Sequence, residues 1–174
     1  MDTNLKGTWK NLLALAAGFG LITGLVEGVE FLLLYKAHFL MWRLYNRAIW
    51  YETLWIAPLV DLGLFLLIGI FFVLTSLVAP KISFRKPAWF VFILLCVFDW
   101  IFILAYGRIS IFAILVLVVG LCIQIFNYVI KFETAGMKII YRMLPWLAGL
   151  VFTLFIVVQG GSWLTEVIKT ANLP

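Results

Sequence analysis

Charge is scarce in this chain of 174 residues: Asp, Glu, Lys and Arg make up only 12%, while 66% of residues are hydrophobic. Ordinary soluble domains are about a quarter charged and about half apolar. A folded chain of this length cannot hide so much apolar surface from water, so lipid is the expected solvent. Cysteine is nearly absent too. Cys96 and Cys122 each fall inside an apolar run and read as small packing residues, not as a disulfide or a metal pair. The single histidine, His38, reads as an interfacial residue. No phosphate-binding loop, metal-ligand spacing or nucleophile–base pattern is present, so the chain is expected to be non-catalytic and without a metal site. Bound pigments or quinones leave no signature here, and the cofactor question stays open. The net charge is +5, yet no basic run is dense enough to suggest nucleic acid.

What is abundant is long apolar sequence. About 20 apolar residues cover the ~30 Å hydrocarbon core as a helix. Five segments meet that length, roughly residues 11–35, 53–78, 88–106, 109–130 and 143–163. Pro80 and Pro87 bracket the second loop, Gly107-Arg108 makes the third turn short, and Pro145 falls in the first turn of the fifth helix. The first apolar run is longer than a cleavable signal sequence and reads as a spanning helix. The expected fold is all-α: one integral membrane helical bundle of about five spans, residues 1–174, whose backbone polar groups are satisfied within each helix.

The cations set an expected direction. Lys6, Lys10, Lys81, Arg85, Lys86, Lys131, Lys138 and Arg142 lie on one side, against Lys36, Arg43, Arg47, Arg108 and Lys169 on the other. Eight against five places the N-terminus in the cytoplasm and the C-terminus outside. Residues 37–51 read as a short amphipathic helix on the outer surface. Arg43, Asn46 and Arg47 share one face, Leu40, Leu44 and Ala48 another, and Trp42, Tyr45, Trp50 and Tyr51 suit the headgroup region. An ordered loop with an aromatic belt is the alternative.

Four acids lie within the spans: Glu27, Glu30, Asp61 and Asp99. Carboxylates in hydrocarbon are costly unless paired, protonated or hydrated, which marks them as a candidate site. Glu27 precedes Tyr35 by eight residues, Asp61 follows Thr53 by eight, and Asp99 precedes Tyr106 by seven. At 1.5 Å per residue, all three lie roughly 10–12 Å below the same, outer, face. Glu30 is about one turn shallower. Arg108, Lys36, Arg43 and Arg47 are the cations able to reach this layer. It reads either as a structural network locking three helix ends together, including Arg108, or as a proton or cation site. The inner half offers a through-path only Gln124 and Asn127.

The first helix also carries Ala16, Gly20, Gly24 and Gly28 at intervals of four, a stripe that lets another helix approach closely. Its partner is another helix of this chain or another subunit. Two functions follow as expectations: a membrane anchor or accessory subunit packing against other membrane proteins, or a small proton- or cation-coupled transporter using the carboxylates.

Two stretches resemble a known family. One is Gly20-Leu21-Ile22-Thr23-Gly24-Leu25-Val26-Glu27-Gly28, running into Val29-Glu30-Phe31. The other runs from Glu52 through Trp55, Ala57-Pro58 and Asp61 to Leu67. In this order and spacing they resemble the N-terminal multispan region of bacterial membrane-bound sulfatases of the alkaline phosphatase superfamily. The resemblance covers most of the first two spans; the later three match only in length and apolar character. It implies a bacterial cytoplasmic membrane and an anchor for an outward-facing hydrolase domain. That family's Cys/Ser-x-Pro-x-Arg nucleophile motif does not surround Cys96 or Cys122. The chain ends at Pro174, about where such a domain would begin. The resemblance therefore implies an anchor module or a relative in a structural role, without sulfatase activity.

Overall fold

A computed structural model describes residues 3–36, 51–79, 84–105 and 109–171, and every regular element among them is helical. The elements are α1 (Thr3–Lys36), α2 (Thr53–Val78), α3 (Arg85–Ala105), α4 (Ile111–Val129) and α5 (Glu133–Ala171). A single 3-10 turn, Ile130–Phe132, joins α4 to α5. Four helical stretches are long and apolar enough to cross a membrane: Trp9–Leu34, Thr53–Val78, Arg85–Ala105 and the run Ile111–Leu164. A helix satisfies its own backbone, which is why uninterrupted apolar sequence adopts this form in lipid.

The bundle is organised around α1 and α2, which pack antiparallel with their backbones nearly touching. A Cβ on Gly24 would lie 2.4 Å from the Cα of Pro58. One on Gly20 would lie 2.8 Å from the Cα of Leu62, and one on Gly28 would lie 3.2 Å from the Cα of Leu54. At the far end the roles reverse, because a Cβ on Gly69 of α2 would meet the Cβ of Ala16 at 2.7 Å. The stripe of small residues on α1 is thus spent on α2. Pro58, inside α2, is buried against Gly24.

Below this seam the core is aromatic. Phe92 of α3 is fully buried, with the rings of Phe19, Phe65 and Phe72 at 6.1, 5.8 and 6.1 Å. Leu12 and Leu15 of α1 and Ile114 and Val118 of α4 belong to the same buried core. α4 folds back along α3: Phe90 meets Phe126 edge-on at 5.5 Å, and the Cys122 thiol points to the Ile93 carbonyl. α5 starts beside the first turn of α3, where Glu133 pairs with Arg85. It then passes Trp89 at Gly136, Gly18 at Ile140 and Asn11 at Tyr141, whose hydroxyl donates to the Asn11 Oδ1 at 2.9 Å. It reaches the start of α2 at Phe155, 4.9 Å from Trp55.

Several expectations change. The fifth helix begins at Glu133, not near Met143, so Pro145 lies inside it instead of in its first turn. The region expected as the fourth loop is helical, because no Pro interrupts it and its Met137 and Ile140 find buried seats. Glu133 also places an acid in the first turn, where the helix dipole favours it. α3 begins at Arg85, two residues before Pro87, which sits in the first turn where its missing N–H costs little. α2 occupies the expected residues 53–78. The surface helix expected over 37–51 lies outside the described residues except for Tyr51, which is in a turn, and His38 lies outside them as well.

The helices differ in how much they bury. Over an 18-residue apolar stretch within each run, half of the residues in Trp9–Leu34 are buried inside the structure, but only 17% of those in Ile111–Leu164 are. Phe112, Val116, Trp146 and Phe152 therefore face outward, an apolar surface suited to lipid and too extensive for water.

The α1–α2 seam makes a direct prediction. Gly24→Val should lower stability by about 1–3 kcal/mol or more through overpacking. Gly63→Ala, with nothing within 4 Å of the added methyl, should leave it unchanged or slightly raised. Thermal unfolding in detergent of the two variants beside the parent protein checks this.

Candidate functional site

The close approach of α1 and α2 brings acids together. Glu27 lies one turn beyond Gly24, and the carbonyl of Asp61 itself abuts Gly20. Asp99 arrives on α3, two turns beyond Phe92. Glu27, Asp61 and Asp99 each present a carboxylate oxygen, and these three oxygens all lie within 4.8 Å of one another. Asp61 is the most enclosed, at 8% exposure, while Glu27 and Asp99 are half-buried.

The polar environment is unusual for a structural network. Glu27 and Asp61 bring carboxylate oxygens within 4.8 Å of each other. Two ionised carboxylates are acceptors only, so neither can donate to the other without a bound proton. Oδ2 of Asp61, Oδ2 of Asp99 and Oε2 of neighbouring Glu30 are buried without a hydrogen-bond partner among the described residues. The ion pair that the described residues do form, Arg85 with Glu133, lies at the opposite end of α3. Arg108, expected to belong to this network, lies outside the described residues, as do Arg43 and Arg47.

Like charges about 4 Å apart repel by about 4 kcal/mol at an effective dielectric constant of 20. Three carboxylates this close therefore need bound protons or a cation to coexist. Their chemistry selects the cation: oxygen donors alone suit a hard ion of the sodium, calcium or magnesium type, and no cysteine or histidine among the described residues joins the trio. No local ligand spacing marks this site, because each helix supplies only one donor; depth counting along the spans is the signal that put the three acids at one level.

The surroundings are asymmetric. Toward the end where α1 stops and α2 starts lie Glu30 and the indoles of Trp55 and Trp100, whose N–H groups are buried without acceptors among the described residues. Toward the other end, Thr23 (1% exposed) and Cys96 are buried one turn away on α1 and α3, and then the Phe19–Phe65–Phe72–Phe92 cluster closes the bundle. Gln124 and Asn127, the polar residues considered for a through-path, are exposed on α4. Thr23 was not legible as a site neighbour, since a lone threonine in an apolar helix carries no pattern.

Comparison with known proteins finds no matching family model, no matching curated protein and no matching solved structure.

An acid-only cluster and an acid paired with a cation respond to neutralisation with opposite signs. Asp99→Asn, measured with chelator present and cations depleted, should raise stability by about 1 kcal/mol, roughly 2–4 °C in Tm for a chain of this size. Loss of a salt-bridge partner would lower it instead. Differential scanning fluorimetry in detergent reads the sign.

Proposed function

We propose that this chain is a five-span membrane protein whose Glu27–Asp61–Asp99 trio takes up a proton or a hard cation from the side where α1 ends and α2 begins, as the binding site of a small proton- or cation-coupled transporter. The observation that carries this reading is the convergence of three carboxyl groups within 4.8 Å, with buried oxygens that have no partner among the described residues. A network built only to hold helices together would pair such oxygens with donors, because each unpaired buried group costs stability.

The fifth span comes from dividing the Ile111–Leu164 run at the 3-10 turn. Its 54 residues would extend about 80 Å as one straight helix, well beyond a bilayer. α4 packs antiparallel to α3, and α5 runs from the start of α3 to the start of α2, which supports two crossings. The distribution of Lys and Arg supports a cytoplasmic N-terminus, with the carboxyl site opening outward in a bacterial cytoplasmic membrane.

A second reading is favoured by a different observation. The aromatic cluster around Phe92 seals the other half of the bundle, and the α4–α5 run leaves most of its apolar surface outside the core. Both features suit a non-catalytic anchor or accessory subunit that packs against other membrane proteins, which is also what the resemblance to sulfatase membrane regions implies. In this reading a bound cation serves to lock α1, α2 and α3.

Purified protein reconstituted in liposomes separates the two. The transporter reading expects saturable uptake of sodium, calcium or protons that falls at least tenfold in the Glu27→Gln/Asp61→Asn/Asp99→Asn variant, with assembly state unchanged. Absence of any uptake, together with loss of a stoichiometric co-purifying subunit in the same variant, establishes the accessory reading instead.

A further inference from the structure

The seam between α2 and α5 is looser than the seam between α1 and α2. Its firm contact is the edge-on packing of Trp55 against Phe155, and a hollow lies on each side of it. The deeper hollow, about 370 Å³, is walled by Leu59, Leu62, Ala148, Val151 and Phe152 together with the two rings, and its lining is apolar. The outer hollow, about 560 Å³, lies at the start of α2 and is walled by Tyr51, Glu52, Leu54, Val158 and Ser162. Both volumes fall within the range of small-molecule binding pockets. Leu59, Phe152 and Val157 are about half or more exposed, so the seam is open on its lipid-facing side.

We propose that this seam binds one membrane phospholipid with a primary ammonium headgroup. An acyl chain lies along the deeper hollow, and the headgroup sits between Glu52, Tyr51 and Ser162. The dimensions fit a single leaflet: from Tyr51 to Leu62 is about 16 Å along the helix, half of the ~30 Å hydrocarbon core. The polarity runs in the matching sense, with apolar walls at depth and the carboxylate and hydroxyls at the rim.

Charge selects the headgroup. Glu52 occupies the N-cap position of α2 and makes no side-chain capping hydrogen bond, so its carboxylate is not tied to the helix end and has the charge to meet an ammonium group. The amino end of α2 carries partial positive charge, which favours the lipid phosphate. A zwitterion with an exposed amine satisfies both. An anionic glycerol headgroup would set its charge against Glu52, and a quaternary amine has no N–H to donate to the carboxylate. This site is separate from the carboxyl trio and does not depend on how the trio works.

Native mass spectrometry of the full chain, released from nanodiscs of equal parts phosphatidylethanolamine, phosphatidylcholine and phosphatidylglycerol, tests the proposal. One phosphatidylethanolamine should be retained per chain, at least fivefold over the other two lipids. Glu52→Lys should reverse the preference toward phosphatidylglycerol, and Ala148→Trp, which fills the deeper hollow, should abolish retention at unchanged helicity. Should Ala148→Trp fail to fold, Ala148→Leu and the Glu52→Lys preference still decide the matter. Equal retention of all three lipids, or a preference indifferent to Glu52→Lys, overturns the proposal. So does quantitative disulfide formation between Val158→Cys and Trp42→Cys with no lipid retained, which would make residues 37–50 of the chain itself the occupant.

Discussion

The contact of α1 with α2, backbone against backbone, is the constraint on which the rest of the structure depends. In lipid there is no hydrophobic gain from bringing two apolar helices together, so close packing and polar contacts must hold them. Gly20, Gly24 and Gly28 remove the side chains that would keep the helices apart, and Ala16 with Gly69 continues the approach at the far end. The pairing also sets the register, because Gly24 has to oppose Pro58 and Gly20 has to oppose Leu62. Everything on these two helices is positioned by that register.

The carboxyl site is a consequence of it. Glu27 and Asp61 sit one turn to either side of the Gly24–Pro58 contact, about 9 Å apart along the axis, and with the backbones this close their side chains bridge that gap to bring carboxylate oxygens within 4.8 Å. α3 adds Asp99 because Phe92 anchors it between Phe19, Phe65 and Phe72 two turns away. The aromatic cluster therefore has two roles: it fixes the level of the third acid, and it closes the apolar half of the bundle. A low-dielectric setting magnifies both repulsion between the acids and attraction for whatever neutralises them. In the proposed function, that coupling is what turns a packing arrangement into a binding site.

The two halves of the chain do different work. α1, α2 and α3 bury their inner faces on one another, whereas α4 and α5 lie against that core and leave most of their surface outside it. α5 touches α1 through Ile140 at Gly18 and α2 through Phe155 at Trp55, and the looser seam between α2 and α5 holds the two hollows. Close packing and open seams thus occur on opposite sides of α2.

The amino-acid sequence by itself determined that this chain is helical and has stretches able to cross a membrane, because length and apolar character are local properties that need no knowledge of neighbours. It also singled out the embedded acids and the small-residue stripe, since both are conspicuous against apolar background. Helix ends were less legible. Pro145 suggested a start near Met143, but the seats that Trp89 and Gly18 offer to Gly136 and Ile140 extend α5 back to Glu133, and those seats are tertiary. Only the tertiary structure decided that the stripe faces α2, that Asp61 is the most enclosed of the trio, and that three acids from three helices share one point. Depth along a helix can be counted from sequence, but the direction in which a side chain faces a neighbour depends on how the helices rotate and pack, which no single segment encodes.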